Sequence, residues 1–174
     1  MPRSISQSLR NELEATHSGE FMVVFATITH PDIPTPIRIA GDVVDYILDG
    51  KRYLGCPFEL SILSDGESLP RGRISIANVD QRVGAAIEDM VDSPRIDLQI
   101  CAQSDFDAIA TIDGQRTRAE TSTATVEYDA KWLRMTNITV DAISVSADIS
   151  SFDVGREYWP GVRAIKANCP GLYK

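Results

Sequence analysis

What most constrains this chain is how often its apolar residues repeat with a period of two. Phe58-Glu59-Leu60-Ser61-Ile62, the trio Ile96, Leu98, Ile100 and the quartet Ile143, Val145, Ala147, Ile149 all place an apolar side chain at every second position, and the stretch Arg73 to Val79 alternates with Ile74 and Ile76 on one face. In extended backbone such residues share one face, so each stretch is a strand with one side to bury. Asp49-Gly50 separates two further apolar segments, 43–48 and 51–54. Asp-Gly supplies the positive φ angles of a two-residue turn, which predicts a hairpin there. Residues 21–29 are apolar on both faces at first, so this strand is central or covered on both sides. Ile37-Arg38-Ile39-Ala40 reads as a short strand.

Between these strands the signals change. Ile5, Leu9 and Leu13 recur at four-residue spacing and predict a helix over 4–15, with Ser4 as its cap. Val83, Ile87, Met90 and Val91 predict a second helix over 80–92, capped by Asp80 and ended by Ser93-Pro94. The loop His30 to Pro36 carries Pro31, Pro34 and Pro36, which exclude a helix and disfavour a central strand. Residues 103–123 are weakly patterned, with a short strand near Ile109 to Ile112 and a turn at Asp113-Gly114. The last third alternates at Ala124, Val126 and Tyr128, again from Trp132 to Val140, and again from Ala142 to Ile149. The fold class is therefore mainly β (α+β): a β-sandwich or partly open barrel with one or two short helices. Residues 1–150 form the β-rich domain, and 151–174 form an extended C-terminal arm.

The chain has 174 residues, 43% of them hydrophobic, enough for one domain with a real core. Its formal charge of -8 repels phosphate backbones, and its basic residues make no run, so nucleic-acid binding is not expected. No segment approaches the ~20 apolar residues that span a bilayer, and the N-terminus lacks the apolar core of a secretory signal. Folding in a cytoplasm is the expectation. Three cysteines, Cys56, Cys101 and Cys169, are odd in number and far apart, which argues against a disulfide framework.

Catalytic patterns are weak. His17 and His30 are the only histidines, and neither has zinc-motif spacing. His17 reads as a turn residue and His30 as a loop start. Cys56 and Cys169 each precede proline, away from any helix N-terminus that would favour a thiolate. Cys101 reads as a small, half-buried hydrophobe. The carboxylate pairs Asp65/Glu67 and Glu88/Asp89 fall in a glycine loop and on a polar helix face, where solvated surface explains them. No nucleophile elbow, phosphate loop or dinucleotide fingerprint occurs. No cofactor, metal site or catalytic residue is expected.

The C-terminal segment is less bland. Trp159-Pro160-Gly161 and Cys169-Pro170-Gly171 each form a tight-turn pair beside aromatics, which suggests a docked arm. It folds back on its own domain or reaches a neighbouring subunit. The order of several short pieces adds to this: Ser18-Gly19-Glu20, His30-Pro31-Asp32, Gly50 to Tyr53, Pro57-Phe58, Asn78-Val79-Asp80 and Asn168 to Leu172. In that order and spacing the chain resembles, over almost its whole length, a family of bacteriophage tail proteins carried as a domain of unknown function. It is more distantly similar to the lambdoid tail-tip protein between the distal tail ring and the hub. In those larger proteins a Pro-Gly-Arg-like segment leads to iron–sulfur cysteines. Pro160-Gly161-Val162-Arg163 and Cys169 match only its beginning, so the cluster is not carried over.

The resemblance implies a structural protein of the virion tail tip or baseplate, not an enzyme. Copies would form a ring, trimeric or hexameric, that joins the distal tail tube to the central hub and takes part in tail assembly. Its partners would be the distal tail protein, the hub and the tape-measure protein. The interface candidates are Pro34, Pro36, Asp65, Glu67, Tyr158, Trp159, Pro160, Cys169, Leu172 and Tyr173. An acidic channel lining would let DNA pass without sticking. The alternative is a receptor- or carbohydrate-binding module of the tail, for which Trp132 and Trp159 are the aromatic candidates. A wall hydrolase is the third possibility weighed, and the missing nucleophile and metal patterns speak against it.

Overall fold

The computed structural model describes residues 6–16, 19–61, 71–77, 92–122 and 124–151. Residues 80–91 of the helix expected over 80–92, the carboxylates Asp65 and Glu67, and the arm from residue 152 onward lie outside the described residues.

The fold is mainly β, as the alternation requires. One short helix, α1 (Gln7–Glu14), precedes β1 (Met22–Thr29), β2 (Ile37–Ala40), β3 (Asp45–Leu48), β4 (Lys51–Gly55), β5 (Phe58–Leu60) and β6 (Arg71–Ala77). Then come β7 (Arg95–Ala102), a 3-10 turn (Gln103–Asp105), β8 (Ala110–Ile112), β9 (Gln115–Ala119), β10 (Val126–Val140) and β11 (Ser144–Ser150). The strands form one open sheet in the order β5-β6-β11-β10-β7-β1-β2-β4-β3-β9-β8. Pairing is antiparallel except for β2 with β4 and β3 with β9. Helix α1 starts later than the sequence predicts. Ser6, not Ser4, caps it, its side chain accepting from the Leu9 backbone N–H at 3.2 Å. The Ser6 backbone N–H donates to Glu127 Oε2 at 3.0 Å, which ties the helix start to β10.

Two hydrophobic cores sit on opposite faces of this sheet. The first gathers Ala26, Ile28, Ile39, Ile74, Ile76, Ile96, Leu98, Leu133, Met135, Val145, Ala147 and Ile149. The second gathers Val23, Phe25, Ala40, Val44, Tyr46, Leu48, Tyr53, Cys101, Phe106 and Ala124. Strand β1 supplies even-numbered residues to one and odd-numbered residues to the other, so it is the wall between them. That is why residues 21–29 read as apolar on both faces. An aromatic cluster fills the second core: Phe25 lies 5.5 Å from Tyr46, 5.1 Å from Tyr53 and 5.6 Å from Phe106, centroid to centroid. Tyr46 and Phe106 meet edge to face at 5.0 Å.

Both Asp-Gly pairs make the turns the sequence predicts, Asp49 and Gly50 at φ 51° and 66° and Asp113 and Gly114 at 52° and 77°. Strand β4 changes partner along its length. Tyr53 pairs with β3, while Leu54 and Gly55 pair with β2. The crossing needs a glycine, because a Cβ on Gly55 would sit 2.6 Å from the Val44 backbone. Asp45 fastens the same place, accepting from the Gly55 N–H at 2.8 Å and from Arg52 Nε and Nη2 at 2.9 and 2.8 Å.

Cys101 is a correction to the sequence reading. It is wholly buried in the second core, not half-buried, because the end of β7 that carries it clusters with Tyr46 and Leu48 of β3, Tyr53 of β4 and Phe106. The stretches read as separate strands, 124–128 and 132–140, also prove to be one strand. The ladders of β10 carry register shifts at Val126/Tyr128, Ala130/Leu133 and Thr136/Thr139. Two non-glycine residues there, Trp132 and Asn137, have φ of 63° and 51°.

Candidate functional site

The register of the central strands builds one concave polar site. Thr29 on β1 pairs with Arg95 on β7, and Arg95 pairs with Arg134 on β10. Directly paired residues project from the same face of a sheet, so these three side chains stand in a row. Beside the row the chain leaves β1 into the proline loop through His30 and Pro31. Across from it lies the approach to β7, Asp92 and Ser93. Together these residues line a groove of about 580 Å³.

Two features of the groove are unusual. Like charges directly opposite in a ladder are unfavourable, and here two arginines face each other. His30 is the second. Its side chain is 3% exposed, and its Nε2 has no hydrogen-bond partner. Its Nδ1 lies 3.2 Å from the Asp32 backbone N–H and 3.3 Å from Asp32 Oδ2. One nitrogen does not accept and donate at once, so these contacts belong to different protonation states. The backbone N–H is a fixed donor, whereas the Asp32 carboxylate is 54% exposed to solvent. The neutral ring that accepts from this N–H at Nδ1 has its proton on Nε2, and the imidazolium also carries a proton there. In both states Nε2 is a buried donor.

Trp132 stands at the rim. Its ring is 5.5 Å from the Arg95 guanidinium carbon, a cation–π contact, and its backbone N–H donates to Asp97 Oδ1 at 2.8 Å. The side chain is 70% exposed although the residue occupies the left-handed region. For a bulky L-residue that conformation costs roughly 1–2 kcal/mol. Asp97 holds the bulge that presents it.

Of the interface candidates, Pro34 is exposed and Pro36 half-buried, in the loop that runs on from His30 and Pro31. Asp65, Glu67, Tyr158, Trp159, Pro160, Cys169, Leu172 and Tyr173 lie outside the described residues. Sequence reasoning missed Arg95 and Arg134, because only the register of three strands puts them together. It took His30 for a plain loop start. Its sole sequence signal was a histidine placed at the end of a strongly apolar strand. Among the described residues no group of three or more His, Cys, Asp or Glu side chains is placed to hold a metal. No helix among them is long and apolar enough to cross a membrane.

Two buried titratable groups elsewhere, Tyr46 and Cys101, are held protonated by the fold. Burial, with the Asp42 hydrogen bond next, pushes the Tyr46 hydroxyl up to about 12. Its O–H donates to Asp42 Oδ2 at 2.6 Å and it accepts from Gln103 Nε2 at 3.2 Å. Burial, with Asp105 next, pushes the Cys101 thiol up to about 12 as well, far from a reactive thiolate.

No curated protein matches the chain. A family model does, described as a domain of unknown function, DUF1833, and it spans residues 8–163. The matched range takes in every described strand and the whole groove, and the chain belongs to the DUF1833 family.

Proposed function

We propose that this chain is a structural subunit of a bacteriophage tail tip. Copies of it assemble into a trimeric or hexameric ring that joins the distal tail tube to the central hub during tail assembly. The distal tail protein, the hub and the tape-measure protein are its neighbours in this reading. The chain is made in the host cytoplasm and ends in the virion. It runs no reaction.

The observation that carries the reading is Trp132. A large aromatic side chain is strained into the left-handed region and left open to water, on a sheet stiffened by a core on each face. Strained residues persist where the surrounding structure holds them for a purpose. Exposed tryptophan on a rigid element is the usual form of an interface anchor. Phe21, Val43 and Ile143, 68%, 75% and 80% exposed, offer further apolar area for neighbours to cover. The motif order from Ser18-Gly19-Glu20 to Asn168 to Leu172 supports the phage setting. The test is immunogold labelling of intact and disrupted phage particles with antibody to this chain. Gold at the tip opposite the head is expected; its absence from both preparations would overturn the reading.

A second reading has Trp132 in its favour too: a host-surface carbohydrate-binding module. An exposed indole is a platform for a sugar face. Glycan binding by the isolated chain, lost in Trp132→Ala, would favour it over the ring.

A further inference from the structure

We propose that His30 is a proton-operated latch on the turn that leads from β1 into the proline loop, independent of the tail-tip reading. Its Nδ1 lies 3.2 Å from the Asp32 backbone N–H and 3.3 Å from Asp32 Oδ2. The first contact needs a lone pair on Nδ1, and the second needs a proton there. Both partners belong to one residue and stand at nearly equal distances, so a single proton exchanges one for the other. The far side of the ring takes no part. Nε2 carries its proton in both states and is buried without a hydrogen-bond partner. The hydrogen-bonding consequence of protonation is therefore concentrated at Nδ1.

In the neutral state the ring accepts from the N–H two residues on, as an asparagine side chain does in a turn. In the protonated state two N–H groups point at each other there. That repels the Asp32 amide from the ring, while the imidazolium attracts the Asp32 carboxylate. The peptide plane between Pro31 and Asp32 rotates, and with it the wall that Pro31 gives the groove. The carboxylate, 54% exposed in the structure, is drawn onto the ring. The Ile33 N–H donates to the His30 carbonyl oxygen at 3.1 Å, a bond that uses neither ring nitrogen and stays as the hinge. Among the described residues, the charged groups around the ring are Asp32 in its own loop, Asp92 on the approach to β7, Arg95 on β7 and Arg134 on β10. Of these, Asp32 is the one that the ring's own Nδ1 touches, so it is the residue that moves.

The test uses the full chain, labelled with nitrogen-15, and follows the His30 ring nitrogens and the backbone amides by NMR. The pH runs from about 8 to about 5, the span over which histidine ordinarily takes up its proton. At the alkaline end Nδ1 is expected to resonate as an unprotonated nitrogen and Nε2 as a protonated one. As His30 takes up its proton, hydrogen-exchange protection of the Asp32 amide, corrected for intrinsic exchange, is expected to fall about tenfold, the loss of one hydrogen bond. The Ile33 amide keeps its protection. His30→Asn offers the Asp32 N–H an acceptor that does not titrate, and is expected to keep that amide protected at both ends. The resonance of His17 serves as the internal reference. The proposal is overturned if His30 takes up no proton in this span, or if Nδ1 carries the proton at its alkaline end. It is overturned as well if Asp32 protection does not follow His30, if Ile33 loses protection with it, so that the turn melts, or if folded His30→Asn shows the same fall. Should His30→Asn not fold, the native titration alone still decides.

Discussion

At the scale of single residues, Gly55 and Trp132 stand where most side chains would clash or be strained, for different reasons. Gly55 is there because Val44 passes within 2.6 Å of where its Cβ would be. Nothing flexible can give way, since the obstacle is backbone. Gly55→Ala is expected to lose on the order of 1–3 kcal/mol, read from urea unfolding, by forcing β4 away from β2 or β3. Trp132 is the opposite case, open space with a conformation that favours glycine. Trp132→Gly should be more stable than Trp132→Ala by about 1 kcal/mol, because only the alanine keeps a Cβ in the left-handed region. Equal stabilities would mean that the bulge relaxes freely and that Trp132 is not strained. Cys101 and Tyr46 make a prediction about pH. Both groups are neutral when protonated, and burial raises both to about 12 from ordinary values of 9.0 and 10.0. The folded chain thus holds these protons more tightly than the unfolded one. The stability they contribute is complete below pH 9 and is lost as pH climbs from 9 towards 12. Cys101→Ala should flatten the early part of that fall in a series of thermal melts. Of these residues the sequence showed Asp49-Gly50 and its turn plainly. It could not show Gly55, whose need arises from a chain segment packed across it.

Among the elements, β10 shows both how far the sequence reads and where it stops. Its core-facing residues run Ala130, then Leu133 and Met135, then Ile138 and Val140, all against the same core. The spacing is two within each group and three between groups. Each step of three marks a bulge, where β10 advances three residues while its partner advances two. Read without that allowance, the stretch looks like separate strands. Read with it, the phase slips at 130–133 and 135–138 locate the bulges that Trp132 and Asn137 occupy. A deletion series tests this account. Removing Asn137 leaves Met135 and the residues after it at unbroken two-residue spacing, so a stable fold is expected, with a change within roughly 1 kcal/mol. Removing Ala147 from β11, which pairs with β6 in unbroken register, turns the remainder of that strand inside out. That chain is expected not to fold. If both deletions are equally harmful by circular dichroism, the bulge at Asn137 is more than an inserted residue.

For the molecule as a whole, the sequence established a mainly β chain with a central double-faced strand, but not the sheet order. The parallel pairings of β2 with β4 and β3 with β9 join segments whose local patterns say nothing about each other. The groove was hidden for the same reason, since Thr29, Arg95 and Arg134 meet only through that order. What the sequence does give at this scale is charge. In the proposed ring, copies that each carry -8 on 174 residues would repel one another, which would oppose assembly. The apolar surface at Trp132, Phe21, Val43 and Ile143 acts over contact distance and is indifferent to salt. Repulsion reaches about 10 Å at ~0.1 M salt and about 3 Å at ~1 M. The edge strands β5 and β8 have three residues each, too short to template open-ended pairing. Assembly should therefore be closed and should strengthen with salt. In sedimentation velocity of the full chain, raising sodium chloride is expected to move mass from monomer into one discrete species of ring size. Trp132→Ala should keep the monomer at every salt concentration. A continuous spread of large species would mean edge-to-edge aggregation. A ring that dissolves on adding salt would mean that its contacts are ion pairs and that Trp132 is not the anchor.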